Sequence, residues 1–433
     1  MKSLRPRLLL VSGVAVAALV VACDDDASAT HGSSSSVAST TSSTGGGGTG
    51  GGAGGTGGIG EPSDVYPAPH GDVPQAIDSG GPRLAAPTMI PIVFQGDDPT
   101  RVALIEDLAA KVGPSEYWSA TTQEYGVGPL AIHATVTLAE HPAAKLSPLQ
   151  IEAWLRDKLN TDDPGLPAPV DGAIYAIFYP AGVSVEDPGG ASCTAFAGYH
   201  SSVTLDAAHG SKSVAYAVIP RCAEFFGRSE IDTLTSTTTH ELIEAATDPF
   251  PLMKPAYQTI DEAHAYWTFV FGGGELSDMC NLPLDSNIVL PGTSYRVQRS
   301  WSNASALAGH DPCVPALPGK VYFNASPDLP DDITVASGVV SKGVQIPADG
   351  TRTIGLRLFS EAATAPIKVV PEDWSEITGG TKQLELTLDE GQGLNGQTLH
   401  LTIKVLGKKK TQLFRISSTD GTQWTGWIGV VGR

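Results

Sequence analysis

The sequence predicts an α/β (α+β) domain over residues 65–318 followed by an all-β sandwich over residues 319–433. Two observations carry this. In the first part, short apolar runs ending in turn residues alternate with segments whose apolar residues recur at helical spacing. In the second part the apolar segments alternate with period two. Together the two stretches hold about 370 residues, more than one typical domain.

The N-terminus reads as an export signal. Arg5 and Arg7 precede an apolar run from Leu8 to Ala22, and Cys23 with three aspartates follows. A basic start, a short apolar stretch and a small residue before the cut describe a signal peptide over residues 1–22. The run is too short to span a bilayer. Its end, "LVVAC", resembles the lipobox of bacterial lipoproteins, which implies cleavage before Cys23 and acylation of that residue. Residues 23–64 form a linker, almost pure Ser, Thr, Gly and Ala between Ala27 and Gly60. Such a composition cannot bury a core, and a coil of that length reaches roughly 30–35 Å.

Within 65–318, "MIPIVFQG" (89–96) is an apolar run closed by Gly96 and reads as a strand. "PTRVALIEDLAAKVG" (99–113) places Val102, Ile105, Leu108 and Ala109 on one helical face. "PLAIHATVTLAE" (129–140) alternates like a half-buried strand. "SPLQIEAWLRDKL" (147–159) opens with Ser147 and gathers Ile151, Trp154 and Leu155 on one side, hence a helix. "GAIYAIFYP" (172–180) and "SVAYAVIP" (213–220) are further strands. A helix with Ser229 at its start and Pro249 as its stop comes next, and residues from there to Pro318 read as irregular. In 319–433 the period-two segments are Ile354/Leu356/Leu358, Leu384/Leu386/Leu388 and Leu399/Leu401/Ile403/Val405, separated by turn signals such as "PADG" and "STDG". That part reads as a binding or spacer module.

Besides Cys23 there are four cysteines, Cys193, Cys222, Cys280 and Cys313. In an oxidising compartment three pairings are open, of which the sequential one, Cys193–Cys222 and Cys280–Cys313, is favoured. The absence of CxxC spacing argues against a four-thiolate zinc site.

The chemistry-bearing stretch is "TLTSTTTHELIEAATDPF" (233–250). His240 and Glu244 lie one turn apart on a helix, and Glu241 borders the same face. The pattern is the zinc-binding HExxH of metallopeptidases with glutamate in place of the second histidine. In that pattern two ligands come from one rigid helix, and the glutamate after the first holds the attacking water. A third ligand is expected from outside the helix. "GGGELSDMCN" (272–281) offers Glu275, with Asp278 orienting a ligand, or the two with roles exchanged. Asp248, at the helix end, is a weaker candidate ligand with capping or hydrogen bonding there as the alternative role. His200, His264 and Tyr266 are candidate oxyanion donors, although His200 is as readily satisfied by a backbone carbonyl. Trp267 and Trp301 read as core or cleft lining. One imidazole with two carboxylates makes a harder site than two imidazoles with one carboxylate. Zn2+ fits, while calcium, manganese and iron compete better.

"FAGYHSS" (196–202), "YAVIPRC" (216–222), "THELIEAATDPF" (239–250), "GELSDMC" (274–280) and "VQRSWSN" (297–303) together resemble a group of secreted bacterial proteins. The arrangement is also similar to the plant phosphate-induced, EXORDIUM-like family. The resemblance covers about residues 85–315. It implies a zincin-like fold for that region and a metal site at the HELxE helix and the later acidic segment.

The net charge of −19 argues against nucleic acid or an anionic lipid surface as partner. The expectation is an exported protein, lipid-anchored to a bacterial membrane on its periplasmic or cell-surface face. Its metal would serve a metallohydrolase acting on peptides or proteins. The alternative is a non-catalytic extracellular binding or adhesion protein with a structural or degenerate metal site. A cell-surface glycan is the candidate partner for residues 319–433.

Overall fold

The apolar runs near residues 90, 175 and 217 are buried on both faces, so they form the centre of a sheet rather than its margin. The computed structural model describes residues 59–271, 273–281, 285–335 and 338–433. The segment read as a signal peptide, Cys23 and the stretch read as a linker up to residue 58 lie outside the described residues. Thr88–Phe94, Ala131–Ile132, Val136–Leu138, Ala173–Tyr179 and Ser213–Pro220 run parallel, and Tyr199–Thr204 joins antiparallel as an edge strand. Side chains alternate between two cores. Ile174, Ala176 and Phe178 pack with the helices Pro99–Val112 and Glu230–Thr247 on one face. Tyr175 and Ile177 pack with Ile151 and Leu155 of the Pro148–Asn160 helix on the other. Ser147 caps that last helix in a full capping box with Gln150.

The α/β (α+β) zincin-like reading of residues 65–318 is corrected by the rest of the chain. Strand outweighs helix among the described residues, and only four α-helices there are longer than five residues. The stretch 257–314, which reads as irregular, and residues 184–191 and 224–229, which carry no assigned element, instead contribute to small two- and three-stranded sheets. Their Gly and Pro interruptions leave no run long enough for a stable helix, and short ladders satisfy the backbone instead. The protein is β-rich, and its longest strands lie in sandwich-type sheets.

Those sheets occupy 323–432. One has the order Phe323–Pro327, Thr351–Ser360, Thr398–Val405, Leu384–Leu388. The other runs Asp331–Thr334, Val340–Gln345, Trp424–Gly432, Thr411–Thr419, Ile367–Asp373, Gln392–Gly393. Leu356, Leu358, Leu399, Leu401 and Ile403 from the first meet Phe414, Ile416 and Val430 from the second in one core. That core continues without a break into Tyr266, Trp267, Phe271 and Trp301, so residue 318 does not separate two hydrophobic interiors. Residues 59–433 belong to one compact unit. Residues 59–64 are part of it: Asn395 Nδ2 donates to Ser63 O at 2.9 Å, and Gln397 Nε2 donates to Gly60 O at 2.6 Å. No helix among the described residues is long and apolar enough to cross a membrane.

Both disulfides join the sequential pairs. Cys193–Cys222 and Cys280–Cys313 close separations of 29 and 33 residues with Cα–Cα distances of 5.0 and 5.7 Å. The second pins the short 3-10 turn Asp278–Cys280 to the strand that begins at Cys313. Replacing both Cys280 and Cys313 with serine should lower unfolding free energy by about 3 kcal/mol in a urea titration. An unchanged midpoint would contradict this.

Candidate metal centre

The Glu230–Thr247 helix runs through the interior, and every residue from Thr233 to Thr247 is buried. Ser229 caps it by accepting from Asp232 N at 3.2 Å. The run 235–239 has poor helix propensity, yet its hydroxyls are satisfied within the helix. Ser236 donates to Asp232 O at 2.6 Å, Thr238 to Leu234 O at 2.7 Å and Thr239 to Ser236 O at 3.0 Å. Small hydroxylated side chains that bond back to the helix's own carbonyls let a polar helix lie in the core, although Thr233 Oγ1 stays buried without a partner. Thr239 Oγ1 also accepts from Gln298 N at 3.1 Å, tying the helix to the Arg296–Gln298 strand.

This helix presents His240, Glu241 and Glu244 to one buried cluster. His240 Nε2 lies 3.0 Å from Glu244 Oε2 and 3.5 Å from Asp278 Oδ1. Glu241 Oε1 is 4.0 Å from the same nitrogen. Glu244 Oε1 accepts from the backbone N–H groups of Ser277 and Asp278, both at 3.2 Å, so this carboxylate also fixes the loop that delivers Asp278. Asn281 Nδ2 donates to Asp278 Oδ1 at 2.9 Å. Gln298 Nε2 holds the same turn through Ser277 O and Asn281 Oδ1.

The edge strand supplies His200. Its Nδ1 lies 3.7 Å from Glu241 Oε2 and 3.6 Å from Glu244 Oε2, and its Nε2 lies 3.4 Å from Glu275 Oε1. The backbone carbonyl of Asp248 is 3.2 Å from Nε2. Strand and helix come this close because Gly198 stands at the crossing. A Cβ there would meet Thr237 Cγ2 at 2.5 Å and Glu241 Oε1 at 3.1 Å. Gly274 is similarly packed, against Thr259 and Ile260, while Gly272 lies outside the described residues.

The structure thus brings His240, Glu241, Glu244 and Asp278 together. It sets Glu275 beside His200 rather than beside His240. Asp248, the weaker candidate at the helix end, is also drawn in, within reach of His200 and Glu275. Two candidate oxyanion donors lie elsewhere. His264 pairs with Asp261 at 2.9 Å, and the Tyr266 hydroxyl donates to Ile428 O. His200 was legible only as one of three weak candidates. The sequence signal for it is its place on a strand ending at the sheet edge, which local pattern cannot identify.

The electrostatics are unusual. Five carboxylates, Glu241, Glu244, Asp248, Glu275 and Asp278, share the cluster with two imidazoles. Among the described residues, no lysine or arginine lies within ion-pair distance of any of the five. Even with both imidazoles protonated, three negative charges would remain buried. Burial opposes ionisation of Glu244, but the facing His240 and His200 imidazoles outweigh it and hold the carboxyl down to about 2. Burial pushes Asp278 and Glu275 well above the usual carboxylate range; Glu244 adds repulsion to Asp278, and Glu244 and Asp278 add it to Glu275, although the imidazoles pull the other way. Burial also opposes charge on both imidazoles, yet the surrounding carboxylates raise them. An array of this kind requires either bound protons or a bound cation. The donor set of imidazole nitrogens and carboxylate oxygens fits a divalent ion, and three triplets, His240–Glu244–Asp278, His200–Glu241–Glu244 and His200–Asp248–Glu275, each place their donor atoms within 4.8 Å of one another.

No family model matches the chain, and no curated protein matches it. Among solved structures it is similar to the titin M3 domain, at 14% identity over 21% of this chain and 85% of that one, with a TM-score of 0.16. A chimeric titin Z1Z2 functionalized with a KLER exogenous peptide from decorin gives 14% identity, 26% and 95% coverage and a TM-score of 0.15. Titin M4 gives 15%, 21% and 84%, and 0.14.

Proposed function

We propose that the chain is a metal-dependent hydrolase acting on peptide bonds, exported and anchored through a lipid on Cys23. The observation that supports this best is the buried His240–Glu244–Asp278 donor set with Glu241 on its border. These three residues would hold a divalent cation, Zn2+ in first place. When bound, such an ion polarises a carbonyl and makes a water molecule more acidic. Glu241 is the residue of this chain that can take a proton from that water at its carboxylate. His200 Nδ1, 3.7 Å from Glu241 Oε2, orients that carboxylate. The Tyr199–Thr204 strand, which carries His200, is the last strand of its sheet.

Removing metal from the full chain with a chelator should abolish peptide hydrolysis, and Zn2+ should restore it. Hydrolysis that persists in metal-free protein would contradict the reading.

A second reading, a non-catalytic binding protein with a structural ion, is favoured by a different observation. A cavity of about 920 Å³ lies away from the cluster, lined by Trp267, Trp301, Tyr322 and Trp427 with Glu372 and Arg415. Aromatic side chains beside a carboxylate and a guanidinium suit a saccharide, the partner class expected for residues 319–433. Glycan binding by the full chain, with no hydrolysis at any metal loading, would favour this reading.

A further inference from the structure

We infer that the cluster holds two divalent cations, the second bound by His200, Asp248 and Glu275 beside the one at His240, Glu244 and Asp278. This rests on the metal-binding reading above and extends it. The ligand atoms of His200, Asp248 and Glu275 lie within 4.8 Å of one another, and none of these residues belongs to the first set.

Asp248 supplies the independent observation. It is 0% exposed, and one carboxylate oxygen, Oδ1, accepts from Ala256 N at 2.7 Å. The other, Oδ2, has no partner, and it is the one carboxylate oxygen among the described residues buried in that state. A buried, unpaired carboxylate oxygen costs free energy unless something cationic or donating meets it. No protein donor does.

His200 is disposed as a ligand with a supporting partner. Its Nε2 faces Glu275 Oε1 at 3.4 Å and the Asp248 carbonyl oxygen at 3.2 Å. Its Nδ1 faces Glu244 and Glu241 at 3.6 and 3.7 Å. Ligating histidines commonly direct the second ring N–H to a carboxylate, which fixes the tautomer and the ring. Charge gives the same answer. One dication against five carboxylates with neutral imidazoles leaves three negative charges in a buried site, and a second reduces this to one. The second donor set is rich in oxygen, so it suits Mn2+ or Ca2+ as well as Zn2+. The Glu275 side chain is 14% exposed, the most open of the set, and gives an ion a way in.

The test is metal stoichiometry on the full chain, stripped with chelator and dialysed to equilibrium against Zn2+ or Mn2+, with metal per chain read by mass spectrometry. Two equivalents are expected in the natural sequence. Asp248→Asn and Glu275→Gln should each retain one, and His240→Ala should also retain one. A single equivalent in the natural sequence overturns the second site and leaves the first standing. Two equivalents unmoved by either Asp248→Asn or Glu275→Gln also overturn it, because the second ion must then lie elsewhere. No metal at all overturns both sites. The natural sequence carries the main result, so a variant that fails to fold does not remove the test.

Discussion

Glu241→Gln is expected to lower peptide turnover by about 10²–10⁴-fold while bound metal and melting temperature stay as they are. Glutamine keeps the size of the side chain and removes only its ability to take a proton. Glu241 borders the donor set without belonging to the His240–Glu244–Asp278 triplet, so the ion should remain. Its neighbours are imidazoles, His200 at 3.7 Å and His240 at 4.0 Å, and the glutamine side-chain oxygen can still face either. Turnover measured beside metal content separates a base from a ligand. Unchanged turnover would remove Glu241 from the chemistry, and lost metal would make it a ligand.

Glu244→Ala should have the broader effect: loss of bound metal and a fall in unfolding free energy of about 3–5 kcal/mol. Glu244 joins three things at once. Oε2 faces His240 at 3.0 Å, and Oε1 accepts from Ser277 N and Asp278 N. Alanine leaves those two N–H groups buried and unpaired and releases the loop that presents Asp278. Glu244→Gln keeps an acceptor for the loop and loses the charge, so it should lose metal with a smaller loss of stability. Urea denaturation of both variants beside metal analysis reads the two effects apart. Full metal occupancy in either would contradict the assignment of Glu244.

Much of this arrangement is legible in the sequence where the signal is local. The central helix follows from Ser229, the HELIE spacing and Pro249, and the strands at 88–94, 173–179 and 213–220 follow from unbroken apolar runs. The sandwich strands follow from period-two alternation, and the disulfides from four cysteines with sequential pairing favoured. What is not legible depends on long-range pairing. His200 reaches the cluster because its strand pairs antiparallel with 213–218 and Gly198 lets it approach the helix. Asp248 looks like a cap until the backbone at 256 folds back to meet it. The fold class was misjudged because short ladders in 184–191, 224–229 and 257–314 carry no periodicity, so their share of strand is invisible. Ile231, in the first turn of the central helix, is 36% exposed, and the continuous buried run begins at Thr233.

The most direct measurement is metal content by mass spectrometry on the full chain, beside His240→Ala and Glu244→Ala. Bound divalent metal in the natural sequence, at one equivalent or more, with at least one equivalent lost in both variants, is the expected result. No metal would mean that protons alone neutralise the buried carboxylates, and a content that neither substitution changes would mean that the helix holds no ion.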